Sequence, residues 1–331
     1  MSPNIEEIIR FSIIIAAHNE EKTMAPLFES LKKLNYPKEN YEIIFVNDQS
    51  TDNTKHVIDE FIQTTPNAKI YDSFGKKHPG KKGALDVGIA CAKNDFILIT
   101  DADCKPEPNW LIRYSEKFAE GYDFLFGISP YKQTGSFVNK IATFENLRSH
   151  ILTFTAAKLG FPYSAAARSF GFHKSAFEKL KGYSKTLQTL CGDDDLLLRE
   201  AVKNKMKIGT VESPDAFVHS TTKEDWKDYL IQKARHTSTS NYYLLKHQVF
   251  LSVWHFVNLI LLFCFFGGFV NPVFFIPFAI KLGFDVFLVQ ILQKKFGYRF
   301  TMIETLYLQI IYEILLIVNY IRGTLGESKW K

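Results

Sequence analysis

Three short apolar runs set the pattern of the first hundred residues: FSIIIAA at 11–17, YEIIFVN at 41–47 and DFILITD at 95–101. Each is continuous rather than alternating, rich in β-branched and aromatic residues, and closed by a polar turn. A strand that is apolar at both parities is covered on both faces, the state of a parallel sheet sandwiched between helices. Helical periodicity follows each turn, and DQSTDNT at 48–54 opens a helix that runs through Phe61. The pattern predicts an α/β domain around a mostly parallel sheet with helices on both faces.

After Gln248 the pattern changes. VFLSVWHFVNLILLFCFFGGFV at 249–270 holds no Asp, Glu, Lys or Arg, and a run of roughly 20 apolar residues is enough to cross a bilayer. Asn271 and Pro272 then form a turn. Residues 272–292 are apolar except for Lys281 and Asp285, which lie four apart and so neutralise each other on one helix face. A third run at 300–321 carries Glu304 and Glu313. Two carboxylates in lipid are costly, so this run either crosses or lies in the interface. Lys294, Lys295 and Arg299 fill the gap before it. If the first two runs form a hairpin, this basic loop returns to the cytosolic side, as the positive-inside rule requires. Arg322, Lys329 and Lys331 fit that rule less well if the third run crosses too. The expected organisation is a cytosolic domain over 1–240, ending in interfacial helices, and a membrane region over 249–322 of two or three helices. A very apolar buried bundle is the alternative.

Composition narrows this picture a little. A chain of 331 residues suits one large domain plus an appendage. A net charge of +5 is too weak for a nucleic-acid partner. The four cysteines form no CxxC pair, which excludes a zinc knuckle and a disulfide frame and fits reduced thiols. The first eleven residues, with Glu6 and Glu7, contain no apolar h-region, so the N-terminal part is expected in the cytosol.

The third strand runs into Asp101 and Asp103, with Ala102 between them. Ligands of open α/β sheets bind outside the carboxyl ends of the strands. Two carboxylates crowded there need a counter-charge, and a hard divalent cation, Mg2+ or Mn2+, takes oxygen ligands while keeping positions for substrate phosphates. The pair reads as a site for a metal–diphosphate complex. Asp is also common in solvated turns, so the pair alone decides nothing.

The flanking segments decide it. Together they resemble the family 2 glycosyltransferases, which have a GT-A fold and include membrane-attached processive synthases. SIIIAAHNEEKTM is similar to the family's first strand and Asn-Glu turn, here Ala17, Asn19 and Glu20; IIFVNDQSTDNT is similar to the second strand with its aspartate, Asp48, although Asn47 replaces a preceding Asp. GKKGALDVGIA is similar to a Lys-Gly-Ala-Leu-Asn-x-Gly segment, with Lys82, Gly83 and Asp86 at the Lys, Gly and Asn. The resemblance implies that Ala17, Asn19, Glu20, Asp48, Lys82, Asp101 and Ala102 line the donor nucleotide, with Asp48 at the base or ribose, and that Asp101 and Asp103 hold the metal. Lys76, Lys77, Lys81 and Lys82 before a helix suit a diphosphate, or simply a solvated loop; the resemblance singles out Lys82.

A second acidic cluster lies in LCGDDDLLLRE at 190–200. The resemblance implies that it supplies the base for the acceptor hydroxyl, a poor nucleophile near neutral pH, and that the anomeric centre inverts. Spacing to Asp195, Leu196 and Arg199 favours Asp193 as the base, whereas the Gly-Asp-Asp match favours Asp194. Helix capping by acids is the plainer reading of either. SAAARSFGFHKSAFEKLKGY at 164–183 resembles the family's acceptor-side segment, with Ala167 and Ser169 replacing its Gly and Asn. Gln232, Arg235 and His236 resemble a Gln-x-x-Arg-Trp motif implied to hold the diphosphate and the acceptor end. His236 in place of Trp removes a stacking surface, and the same segment with Trp226 and Tyr229 also suits a membrane interface.

The resemblance thus implies an inverting, metal-dependent enzyme. It would move a sugar from a nucleotide-diphosphate donor, expected to be UDP-linked, to a lipid or lipid-linked saccharide. The expected place is the cytoplasmic side of a bacterial inner membrane. A processive polysaccharide synthase is the sister reading, and an inactive membrane-bound binding subunit a more distant one. A nucleotidyltransferase also uses paired acids with Mg2+, but leaves the apolar tail and Gln-x-x-Arg unexplained.

Overall fold

The computed structural model describes residues 8–325; Glu6, Glu7, Lys329 and Lys331 lie outside them. The strands are β1 Phe11–Ala17, β2 Tyr41–Asn47, β3 Ala68–Asp72, β4 Phe96–Ile99, β5 Lys105–Pro106, β6 Phe124–Gly127, β7 Phe170–His173, β8 Ile208–Val211 and β9 Val218–His219. Seven of them form one sheet in the order β3-β2-β1-β4-β7-β6-β8, parallel except where β7 runs antiparallel to β4 and β6. Strands β5 and β9 make a separate antiparallel pair. This is the expected α/β, GT-A-like architecture. The first two strands have the predicted bounds. The third ends at Ile99, so Asp101 and Asp103 stand in the loop beyond its carboxyl end.

The continuous apolar strands are explained by two covered faces. Ile13 and Ile15 of β1 join a core with Leu27, Leu31, Ile58, Phe61, Leu111 and Phe118, which come from helices Ala25–Lys32, Thr54–Gln63 and Trp110–Ala119. Ile14 faces the other way, onto helix Gly80–Cys91, where a Cβ on Gly88 would lie 2.6 Å from Ile14 Cγ2 and 2.9 Å from Val46 Cγ2. That helix reaches the sheet because position 88 has no side chain. Ile13, Ile14 and Ile15 are all fully buried, each contributing about 1.5–3 kcal/mol of hydrophobic stabilisation. No disulfide joins the four cysteines.

The chain divides into two compact units: residues up to Ser129 with Ala157–Ser220, and Pro130–Ala156 with the residues from Thr221 onward. The second contains helices Trp226–Thr239, Leu245–Gly267, Phe275–Leu292 and Met302–Leu325 and most of Phe137–Lys158. Three stretches are long and apolar enough to cross a membrane: Leu245–Gly267, Pro272–Phe296 and Met302–Arg322. The change of composition at Gln248 does not mark this unit. Residues 130–156 join it through polar bonds: Tyr298 Oη donates to Asn146 Oδ1 at 2.6 Å and accepts from the Tyr131 amide at 2.8 Å, and Asn139 Nδ2 donates to Thr222 Oγ1 at 2.9 Å.

Every charge in the second and third apolar stretches that the sequence flags has a partner here. Lys281 pairs with Asp285 at 2.9 Å, as the i,i+4 spacing predicts, and also contacts Glu313. Arg148 reaches Asp285 at 2.9 Å, and Gln309 donates to both acids, at 3.1 and 3.0 Å. Glu304 pairs with Lys140 at 2.8 Å. The two carboxylates that made the third run costly in an apolar medium are therefore both paired.

Candidate active site

Within the first unit, the loops after β1, β2 and β4 and the helix at Gly80–Cys91 bring most of the predicted residues together at the carboxyl edge of the sheet. The β1 and β2 ends are tied first. Ala17 accepts the Asp48 amide at 2.8 Å, and His18 Nδ1 donates to the Asp48 carbonyl at 2.6 Å. Asn19 adopts φ 57°, a left-handed conformation that Asn tolerates better than most side chains. It takes the Thr51 amide on Oδ1 at 2.8 Å and gives its own amide to Ser50 Oγ at 3.1 Å. The Glu20 amide donates to Thr54 Oγ1 at 2.7 Å, which anchors the Asn-Glu turn on the start of the second helix. Asn47, where the resemblance expects Asp, bonds Asp72 Oδ1 at 2.7 Å and links β2 to β3.

Asp48 is buried. Its carboxylate accepts Ser73 Oγ at 2.5 Å and pairs with Lys76. Lys76 also donates to the Gly80 carbonyl at 3.1 Å, so the 73–80 loop closes over this acid. Gly83 permits the closure: a Cβ there would stand 1.9 Å from the His78 carbonyl oxygen.

The decisive contact is made by Lys81. Its ammonium lies 2.6 Å from Asp101 Oδ1 and 2.8 Å from Asp193 Oδ2, so the two acidic clusters, far apart in sequence, meet across one side chain. Burial works against the Lys81 charge, but Asp101 and Asp193 outweigh it and hold the ammonium well above its usual range. Burial likewise raises the Asp193 carboxyl, and Lys81 overcomes that and keeps it low, hence ionised near neutral pH. Lys82, the lysine singled out by resemblance, is buried and donates to the carbonyls of Thr186 and Thr189, at 2.9 Å to the latter. It braces the segment that leads to the second acidic cluster.

Asp194 and Asp195 do structural work in this arrangement. Asp194 accepts the Asp195 amide at 2.7 Å on Oδ1, capping helix Asp195–Lys203, and the Ala167 amide at 2.6 Å on Oδ2. Burial, Asp195 and Asp193 push its carboxyl well up. Asp195 takes Ser164 Oγ at 2.8 Å and the Ala165 amide at 3.0 Å. The segment at 164–167 is thus held on these two acids. The chain marked that segment only as acceptor-side and gave no signal of these bonds.

Do Asp101 and Asp103 suit a metal ion? One ligand atom each from Asp101, Asp103 and Cys104 lie within 4.8 Å of one another. Burial, then Asp101 and Glu20, raise the Asp103 carboxyl, as expected where negative charge is under-compensated. Burial, Asp103 and Asp101 push the Cys104 thiol up, and its Sγ donates to Asp103 Oδ1 at 3.6 Å. The two carboxylates offer the oxygen donors that Mg2+ or Mn2+ prefers. Ala102 is buried between the two acids. Arg168, which the sequence reading missed, acts on Asp103 from the side and donates to Ser220 Oγ. Gln232, Arg235 and His236 lie on helix Trp226–Thr239 of the second unit, where Tyr229 Oη and Lys233, at 3.2 Å, both contact Glu145.

Comparison with known proteins bears on the family and the fold. A 261-residue alignment at 28% identity relates the chain to a probable glycosyltransferase, YdaM, of Bacillus subtilis strain 168, covering 73% of this chain and 58% of that one. A beta-monoglucosyldiacylglycerol synthase of Nostoc sp. strain PCC 7120 is 33% identical over 101 residues, 30% of this chain and 22% of its own. The alignments span less than two thirds of each of these curated relatives. Among solved structures, the mannosyltransferase PcManGT from Pyrobaculum calidifontis, in complex with GDP-Man and Mn2+, superposes with a TM-score of 0.62 at 15% identity, over 97% of this chain and 88% of that one. The Glycosyl transferase family 2 profile matches residues 12–181, just over half of the chain, and the chain belongs to that family.

Proposed function

We propose that this chain is an inverting, metal-dependent glycosyltransferase. Its donor is a nucleotide-diphosphate sugar, UDP-linked as first choice, and its acceptor a lipid or lipid-linked saccharide at a membrane surface. The observation that carries this reading is the Lys81 ammonium touching Asp101 and Asp193 together, because a direct displacement needs a leaving-group site and a proton acceptor at one sugar. Asp193, ionised beside Lys81, takes the proton from the acceptor hydroxyl. The hydroxyl oxygen bonds to the anomeric carbon as the bond to the diphosphate breaks on the opposite side, so the configuration inverts. Asp48, Asn19 and Glu20 orient the nucleoside end, and Ala17 sets the β1 end on which they stand. Asp101 and Asp103 would hold Mg2+ or Mn2+, which would neutralise the charge that collects on the diphosphate.

The membrane part of the reading draws on the three apolar helices and on relatives whose names specify lipid acceptors, such as the Nostoc synthase and an undecaprenyl-phosphate 4-deoxy-4-formamido-L-arabinose transferase of Proteus mirabilis, 27% identical over 169 residues. The catalytic unit is assigned to the cytoplasmic side, where nucleotide sugars are made and where Lys294 and Lys295 satisfy the positive-inside rule. Gln232, Arg235 and His236 are assigned to the diphosphate and acceptor end.

The test is release of nucleoside diphosphate by the full chain in lipid nanodiscs, with a panel of UDP- and GDP-linked sugars. Turnover with at least one donor, lost on chelation and restored by Mn2+ or Mg2+, supports the reading. Metal-independent turnover, or none with any donor and lipid extract, contradicts it.

A further inference from the structure

We propose that Lys81 competes with the divalent cation for Asp101 and then passes to the donor diphosphate, coupling the metal site to the base. The inference rests on the metal–diphosphate reading above and adds a role for a residue that neither the sequence pattern nor the family resemblance distinguishes from its neighbours.

The geometry carries it. A cation held by Asp101 would draw on a carboxylate whose Oδ1 the ammonium already contacts, at 2.6 Å. Two like charges cannot share one carboxylate edge without strong repulsion, so the ammonium and the ion exclude each other there. The Lys81 side chain is only 14% exposed. Displaced from Asp101 but still shielded from water, its ammonium needs another anion within reach. Asp193 remains one partner, and a diphosphate is the other that this chemistry brings.

The neighbouring lysines fix which one can do this. Lys82, the next residue, is tied to two main-chain carbonyls that hold the segment before Cys191. Lys76, in the loop before that helix, sits on Asp48 as Lys81 sits on Asp101. Two lysines flanking the start of one helix therefore each cover an acid assigned to the donor, one at the nucleoside end and one at the metal end. Asp103 forms no ion pair with a lysine among the described residues; the Cys104 thiol donates to its Oδ1 at 3.6 Å, and Asp101, Glu20 and Arg168 act on it. The cation then has one acid without an ammonium to approach and one with an ammonium to win.

The prediction has two signs. In the full chain in nanodiscs, Mn2+ titrated alone and read from the free-ion electron paramagnetic resonance signal should bind Lys81→Met about tenfold or more tightly than the unmodified protein, because a competing positive charge is gone. UDP, titrated at saturating Mn2+, should bind the same variant about tenfold or more weakly, because its diphosphate loses a charged partner. Lys81→Arg keeps the competitor and should leave Mn2+ affinity within about threefold of the unmodified protein. A lysine that merely braces the fold would lower Tm without tightening Mn2+. If Lys81→Met does not fold, Lys81→Gln carries the same prediction.

Mn2+ affinity unchanged or weakened in the folded variant overturns the competition, and unchanged UDP affinity overturns the transfer to diphosphate. Asp103→Asn separates the layers. If it abolishes Mn2+ binding while Lys81→Met has no effect, only the Lys81 role fails. If it leaves Mn2+ binding intact, the metal reading fails as well.

Discussion

Two adjacent aspartates are assigned different work, and separating them is the sharpest use of the geometry. Asp194 accepts two main-chain amides, from Asp195 at 2.7 Å and Ala167 at 2.6 Å. Asp193 pairs with Lys81 at 2.8 Å and also takes a main-chain hydrogen bond at its own residue. Asparagine at 194 keeps one acceptor oxygen and turns its carboxamide NH2, a donor, toward the second main-chain amide, so one buried N–H loses its partner. The expected loss is about 1–3 kcal/mol, of which the helix cap alone is worth about 1 kcal/mol. Asparagine at 193 keeps the size but cannot take a proton, and leaves Lys81 paired with Asp101 alone. Its expected cost is about 100- to 10,000-fold in turnover, far beyond what any accompanying loss of Tm explains. Tm by intrinsic fluorescence and nucleoside diphosphate release at saturating donor and Mn2+ give both numbers from one preparation. If Asp194→Asn abolishes turnover at unchanged Tm while Asp193→Asn remains active, the assignment of base and brace is reversed and the reasoning from bond count is wrong.

Three further outcomes follow from other contacts. Gly83→Ala puts a Cβ 1.9 Å from the His78 carbonyl and 2.8 Å from Lys76 Cδ, so the loop that covers Asp48 must shift. We expect about 1–3 kcal/mol of destabilisation and a smaller thermal shift with UDP. Arg113 holds the Asp215 carboxyl well below its usual range through a fork of hydrogen bonds, aided by Asn109. A lowered carboxyl stabilises the fold above its unfolded value and loses that contribution as pH falls. The Tm gap between the unmodified protein and Asp215→Asn should therefore be constant above about pH 4 and close below it. Arg148→Ala leaves Asp285 and Glu313 to share Lys281 and should cost about 3–5 kcal/mol in detergent, whereas Arg148→Met with Asp285→Leu should recover most of it.

The sheet's centre was readable because its strands are buried on both faces. Ile13 through Ile15 and Ile43 through Val46 leave no polar position to confuse the pattern, and β1 and β2 fall on their predicted bounds. Strands β6, β7 and β8 have four residues each, two of them with a glycine at an inner position. Runs that short carry no periodicity, and β7 gains its place by antiparallel pairing with β4 and β6, which local sequence does not encode. The break at Gln248 records where helices become apolar. It is silent about residues 130–156, which join the second unit through individual bonds such as Tyr298 to Asn146.

The site was legible as chemistry and less so as geometry. Asp101, Asp103 and Asp193 come to one place, whereas the choice between Lys81 and Lys82 needed the helix. A signal existed: Lys82, Leu85 and Ile89 fall at i, i+3 and i+7, one face of the helix at Gly80–Cys91, and that face is buried. Lys81 lies about 100° away and turns to the acids. The support that Asp194 and Asp195 give to residues 164–167 had no signal, because a main-chain amide is the same at every residue.

The central claim is that one cleft joins the cation-binding acids to the proton-accepting acid. Anomalous scattering from Mn2+ in crystals grown with UDP tests it most directly. The account predicts one strong peak bonded to Asp101 and Asp103 and to the diphosphate, with the Asp193 carboxylate facing the same side and Lys81 on a phosphate oxygen. A peak elsewhere, or a diphosphate bound with Asp193 turned away from it, would contradict the account.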